Sequence, residues 1–241
     1  GLLLAWYLQK ASGKQRDQRF SYGYGRLSLL AAMINGVVLL AGSIVVIVHV
    51  IPRLFEPQIV DATGMLWLAM LGIAFNGFAF WRNRSSQSLN AKMVNWHLLE
   101  DVLGWTVVLG GSIVMHFGDY PWLDPLMALG VTLFILWNVI KSLGRVIKIF
   151  LQSNPEGVDL SAIERELRTL QNVEDIHDVH AWSLDGNYHV LSLHVVISQI
   201  PDPETLVLLK NQIREQTLKM GIDHATIEIE LPSEACALEN C

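Results

Sequence analysis

Apolar residues run long and unbroken over the first 150 positions and short and periodic after that. Leu27 to Ile51 holds no Lys, Arg, Asp or Glu, and Pro52 follows it. At 1.5 Å per residue such a run crosses a hydrocarbon core of about 30 Å. Three more long apolar runs follow, at 63–81, 93–117 and 123–140, of which 93–117 holds Glu100 and Asp101 and 123–140 holds Asp124. Trp67 and Trp81 lie near the ends of the second run, where interfacial aromatics belong. Residues 1–9 read as the last turns of a further span whose beginning lies upstream. The pattern predicts four full spans, the end of another, and a transmembrane domain over 27–151.

The period changes after residue 155. Leu160, Ile163, Leu167 and Leu170 recur at helical spacing behind Asp159. Residues 176–184 and 188–197 are strand-like and flank Asp185-Gly186-Asn187, a hairpin turn. Leu206, Leu209 and Ile213 mark a helix over 203–219, and Thr226 to Leu231 alternates as a last strand. The order αββαβ predicts a small α+β domain over 155–232, with a sheet covered on one face by two helices. Residues 233–241 form a tail.

Charge separates the same two parts. Residues 1–154 carry 12 Lys/Arg and 7 Asp/Glu, whereas residues 155–241 carry 5 and 16. The basic residues gather in the loops at 10–26 and 82–92 and at 141–148. The positive-inside rule puts these loops, and the C-terminal domain with them, in the cytoplasm. No basic patch is dense enough for nucleic acid. The chain has no nucleophile elbow, phosphate loop or aqueous acid/base pair that would mark an enzyme.

Polar residues inside apolar spans carry the candidate chemistry. His97 and Asp101, four residues apart, share one helix face with Cβ atoms about 6 Å apart. An imidazole and a carboxylate on one face suit a borderline cation such as Zn²⁺. Asn35 is read as an interhelical hydrogen bond, and His49 as interfacial. The C-terminal domain offers His177, Asp178, His180, His189, His194, His224, Glu228 and Glu230 as candidate ligands. Cys236 and Cys241, the only cysteines, form a C-x₄-C pair suited to weak metal capture or to a mobile tail.

These stretches resemble the cation diffusion facilitators, the zinc-transporter branch in particular. The resemblance rests on Phe20-Ser21-Tyr22-Gly23-Tyr24-Gly25-Arg26-Leu27, the His97/Asp101 pair and Asp124-Pro125. It rests also on Ile176-His177-Asp178-Val179-His180-Ala181-Trp182 and on His224-Ala225-Thr226-Ile227-Glu228-Ile229-Glu230. It implies a six-span fold with a ferredoxin-like, metallochaperone-like cytoplasmic domain. It further implies a homodimer in a bacterial inner membrane that exchanges Zn²⁺, or Cd²⁺ or Co²⁺, for protons. His97 and Asp101 would supply half of a four-ligand transport site, the other half lying on a span upstream of Gly1. His177, His194, Glu228 and Glu230 match the regulatory metal site of the cytoplasmic domain, with glutamates at two of the positions. The competing expectation is a membrane-anchored metal sensor or scaffold without transport.

Overall fold

The fold was obtained as a computed structural model, which describes residues 2–56, 61–83, 89–118, 120–231 and 234. Side chains at 2, 3, 5, 6, 83, 89–97 and 100 lie outside the description. Five long helices come first: α1 (Leu2–Ser12), α2 (Arg26–Phe55), α3 (Ala62–Asn83), α4 (Leu89–Phe117) and α5 (Leu123–Phe150). The remaining elements are α6 (Leu160–Leu167), β1 (Val173–Ser183), β2 (His189–Ile197), α7 (Pro203–Lys219) and β3 (His224–Glu230). The expected class holds: an apolar helical membrane domain is followed by a small αββαβ domain. By length and apolarity α2, α3 and α5 can cross a membrane, and α4 contributes an apolar stretch over Asp101–Phe117.

Contacts divide the chain into two compact units, residues 37–140, and residues 1–36 with 141–241. In the first, large apolar side chains point outward, among them Trp67, Phe75, Phe78, Leu103 and Phe134. Such a surface suits lipid, where burying apolar groups inside the bundle gains little. Small residues instead set the helix contacts. Gly72 of α3 lies so close to the Trp105 ring of α4 that a Cβ there would overlap it. Gly111 of α4 is filled in the same way by Met127 of α5.

Helix α2 outlasts Pro52, where the sequence predicted its end, and runs on to Phe55. A proline this near the C-terminus removes only one late hydrogen bond. The following residue, Arg53, is held by Asp124 of α5 at 3.1 Å. Polar groups inside the spans satisfy themselves locally. Asn76 donates to the Gly72 carbonyl at 2.9 Å, and His49 Nδ1 lies 2.8 Å from the Val45 carbonyl.

In the second unit, the turn before α2 is built on Asp17. Its carboxylate accepts from the Arg19 and Phe20 amides at 2.8 and 2.9 Å and from the Tyr24 hydroxyl at 2.7 Å. The Phe20 and Tyr24 rings then pack at a tilt of 47° with centroids 4.5 Å apart. Tyr22, in the same turn, meets the His224 ring edge-on at 6.1 Å.

The sheet order is β1-β2-β3, with β1 antiparallel and β3 parallel to β2. Leu191, Leu193, Val195 and Ile197 of β2 point to one face and are buried. They pack against Ile163 and Leu167 of α6 and Leu209 and Ile213 of α7. Asp159 caps α6 by accepting from the Ala162 amide, and Asp202 caps α7 from the Glu204 and Thr205 amides. Helix α6 stops at Leu167, short of Leu170, where the chain tightens: the Thr169 and Leu170 amides donate three residues back, to the Glu166 and Leu167 carbonyls, at 3.1 Å each. The Arg168 side chain donates to the Ile176 carbonyl at 2.8 Å and pairs with Asp175.

Two outcomes follow. Ile213→Ala removes a fully buried side chain and should cost about 2–5 kcal/mol. Native-state hydrogen exchange of the β2 amides should lose that much protection, and unchanged protection would show that α7 does not hold the sheet. The Asp17 carboxyl is held below its usual range by the Tyr24 hydroxyl first, then by the Phe20 and Arg19 amides. A depressed carboxyl stabilises above its unfolded value of about 4 and loses that contribution as pH falls through the lower folded value. Tyr24 ring chemical shifts should therefore stay native at neutral pH and revert to the solvated position in acid. In Asp17→Ala they should be reverted at every pH.

Candidate metal centre

The face of the sheet opposite α6 and α7 collects the ionisable side chains. Successive strand residues alternate faces, so Leu193 and Val195 on the helix side place His194 on the other. By the same alternation Ile227 and Ile229 leave Glu228 and Glu230 beside it. The register then brings them together, since His177 pairs with His194 across β1–β2 and His194 pairs with Glu228 across β2–β3.

A bulge completes the cluster. The β1 register shifts between His177 and His180, and Asp178 there takes a φ of 48°. That left-handed turn is uncommon for a residue with a Cβ. It aims the Asp178 carboxylate at two histidines, with Oδ1 2.7 Å from His180 Nε2 and Oδ2 3.4 Å from His194 Nε2.

His194 and Glu230 form the buried centre, their side chains only 7% and 6% exposed. Glu230 Oε1 lies 2.6 Å from His194 Nδ1, and Glu230 Oε2 lies 3.3 Å from His177 Nε2. The His177 and His194 rings meet at 63° with centroids 5.4 Å apart. Glu228 reaches His194 Nε2 at 3.4 Å but is 67% exposed, which places it on the rim. His177, His194 and Glu230 each offer a ligand atom, all within 4.8 Å of one another.

A divalent cation fits this donor set. His177 Nε2 is buried and makes no hydrogen bond. A buried polar atom left so costs about 1–3 kcal/mol. Two imidazoles and a carboxylate are the donors that Zn²⁺ and its neighbours take. Asp178 and Glu228 add negative charge at the edge, which favours a cation further.

The other candidates are placed as follows. His189 begins β2, five residues before His194 and so about 17 Å along the strand. His224, at the start of β3, faces Tyr22 instead. Cys236 and Cys241 lie outside the described residues. His97 lies in α4 one turn before Asp101, and its side chain is outside the description. Asp101 is half-buried. Trp105 lies one further turn beyond Asp101 and packs on Gly72 of α3. Asp178 is the participant that strand alternation alone does not place in the cluster. Its approach to His194 depends on the bulge, which leaves no mark in the hydrophobic pattern.

Known proteins share both parts. The family described as cation efflux transmembrane domain matches residues 1–151, and the one described as cation efflux protein, cytoplasmic domain, matches residues 155–231. The chain is similar to the cadmium, cobalt and zinc/H(+)-K(+) antiporter of Bacillus subtilis, with 30% identity over 95% of this chain and 75% of the relative. It is 31% identical to the metal cation efflux system protein CzcD of Cupriavidus metallidurans over 89% of this chain and 68% of that one. The zinc transporter ZitB of Escherichia coli is 27% identical over 95% of this chain and 74% of its own length. Among solved structures, the metal-bound C-terminal domain of the CzcD transporter is 36% identical, covering 31% of this chain and 100% of that chain with a TM-score of 0.26. With both domain families matched in order from residue 1 to residue 231, the chain belongs to the cation efflux family, the cation diffusion facilitators, and to its zinc-transporter branch.

Proposed function

We propose that this protein exports a divalent metal cation, Zn²⁺ foremost, from the cytoplasm in exchange for protons. The observation that carries the reading is the place of His97 and Asp101, one turn apart inside the continuous helix α4 of the matched transmembrane domain. Relatives named for zinc, cadmium and cobalt support the choice of cargo.

The step is binding and release, with no covalent chemistry. Neutral imidazole and ionised carboxylate bind the cation, and protonation of either removes a ligand. An unperturbed imidazole titrates near pH 6.5, about where a transmembrane proton gradient acts. Metal entering from the cytoplasm displaces protons, and protons entering from the other side displace the metal. Net transport needs the two access states to differ in metal affinity, since equal affinity would shift nothing. Gly72 and Gly111, where the Trp105 and Met127 side chains fill the space a Cβ would take, are contacts at which such a shift of α4 would be felt.

The αββαβ domain serves as the cytoplasmic part of a homodimer and as a metal sensor. His177, His194 and Glu230 would hold the regulatory ion, with Asp178 and Glu228 at its edge. These residues are already gathered by the sheet, so binding there needs little rearrangement of the backbone.

Two outcomes test this reading. In the full-length protein reconstituted in vesicles, His97→Ala or Asp101→Ala should reduce zinc flux to that of protein-free vesicles while melting stays unchanged. Wild-type flux in either variant would sink the transport assignment. In calorimetric zinc titration, His194→Ala and Glu230→Gln should each weaken one binding step by more than about tenfold, the lower range for losing even an outer partner of a metal site. Glu228→Gln, on the rim, should weaken it less. Titrations identical to wild type in all three would remove the sensor site.

A further inference from the structure

Helix α5 continues beyond its apolar run, and its two faces there differ in kind. Val139 and Val146 are buried, and Leu143 lies against Gly36 of α2, 2.6 Å from where a Cβ would stand. On the opposite side Lys141, Arg145 and Lys148 are exposed. Their spacing of four and then three residues stacks them along one stripe. Together with Gly144 they line an open groove of about 480 Å³. Gly144 is the floor, since a Cβ added there would meet nothing within 4 Å. Three cationic residues thus border space that one absent side chain leaves open.

We propose that this groove binds the phosphate-bearing head group of an anionic phospholipid. The charge suits a phosphate oxyanion, and arginine adds a planar fork for two of its oxygens. The position on α5 selects the lipid as the source. The helix has just left an apolar run whose last turns carry the exposed Trp137 and Ile140. An interfacial Trp followed by cations marks the level at which lipid head groups lie. The cytoplasmic leaflet is also the one rich in anionic lipid. The site is separate from the metal centre and from His97 and Asp101. It rests on the chain's being a membrane protein with the end of α5 on the cytoplasmic side, as the loop charges predict, and not on the identity of the transported ion.

The test uses the full-length protein in detergent, with native mass spectrometry to count bound lipid. Phosphatidylglycerol and phosphatidylcholine are offered together. Each lysine or arginine near an anionic lipid contributes about fivefold in affinity. Wild type should therefore prefer phosphatidylglycerol, and Lys141→Gln/Arg145→Gln/Lys148→Gln should lose more than about tenfold of that preference. Gly144→Leu fills the groove without changing charge and should also lower the preference. A variant with Arg165→Gln, Lys210→Gln and Arg214→Gln, equal in charge lost but placed in the αββαβ domain, should keep it. If the triple α5 variant does not fold, Lys148→Gln alone should lose about fivefold. Undiminished preference in the folded α5 variants would overturn the proposal. Loss of bound phosphatidylglycerol to excess inorganic phosphate would also overturn it, by making free phosphate the ligand. Zinc flux plays no part in this readout, so its failure and the failure of the transport reading are distinguishable.

Discussion

Ionisable side chains are costly where water is scarce, and both parts of this chain are organised around places where that cost is accepted. In the αββαβ domain, His194 and Glu230 are buried at the centre of a three-stranded sheet and are held by each other at 2.6 Å. In the membrane domain, Asp101 is half-buried at the start of the apolar stretch of α4, one turn beyond His97. A buried charge needs a partner of opposite sign, and a metal cation is the partner proposed for both donor sets.

The sheet meets this need through register. Helices α6 and α7 take the leucine, valine and isoleucine face, so the ligands are forced to the other. A slip of one residue in β3 would turn Glu228 and Glu230 into the hydrophobic core and Ile227 and Ile229 out to the metal face. The packing of Ile227 and Ile229 against the core therefore fixes the metal centre as firmly as any contact within it. In the membrane domain the same positioning falls to glycines, because lipid leaves hydrophobic packing little leverage. Gly72 lets Trp105, one turn beyond Asp101, close on α3.

Much of this was legible from the residues. The change from long apolar runs to periodic ones separated the two parts. The family resemblance already grouped His194, Glu228 and Glu230, and the register of β2 and β3 supplies the physical reason, with the three on the face opposite the core. What was not legible depended on single local conformations. Asp178 reaches His194 through a left-handed bulge, and α6 ends in i→i−3 turns that the apolar periodicity running on to Leu170 does not encode. Pro52 predicted a helix end, but near a terminus a proline removes only one late hydrogen bond, and the Arg53–Asp124 pair holds the turn beyond it. Lys141, Arg145 and Lys148 counted only as positive charge in the sequence. Their meeting over Gly144 became visible once the buried face of α5 was known.

The central claim is that metal and protons exchange across the membrane through one protein. It is tested most directly by recording vesicle-interior zinc and pH together, in vesicles containing the full-length protein, with dyes for each. An imposed zinc gradient should drive protons in the opposite direction, and a protonophore that collapses the pH gradient should remove the zinc movement that the gradient drives. Zinc flux that ignores the pH gradient and moves no protons would contradict the account.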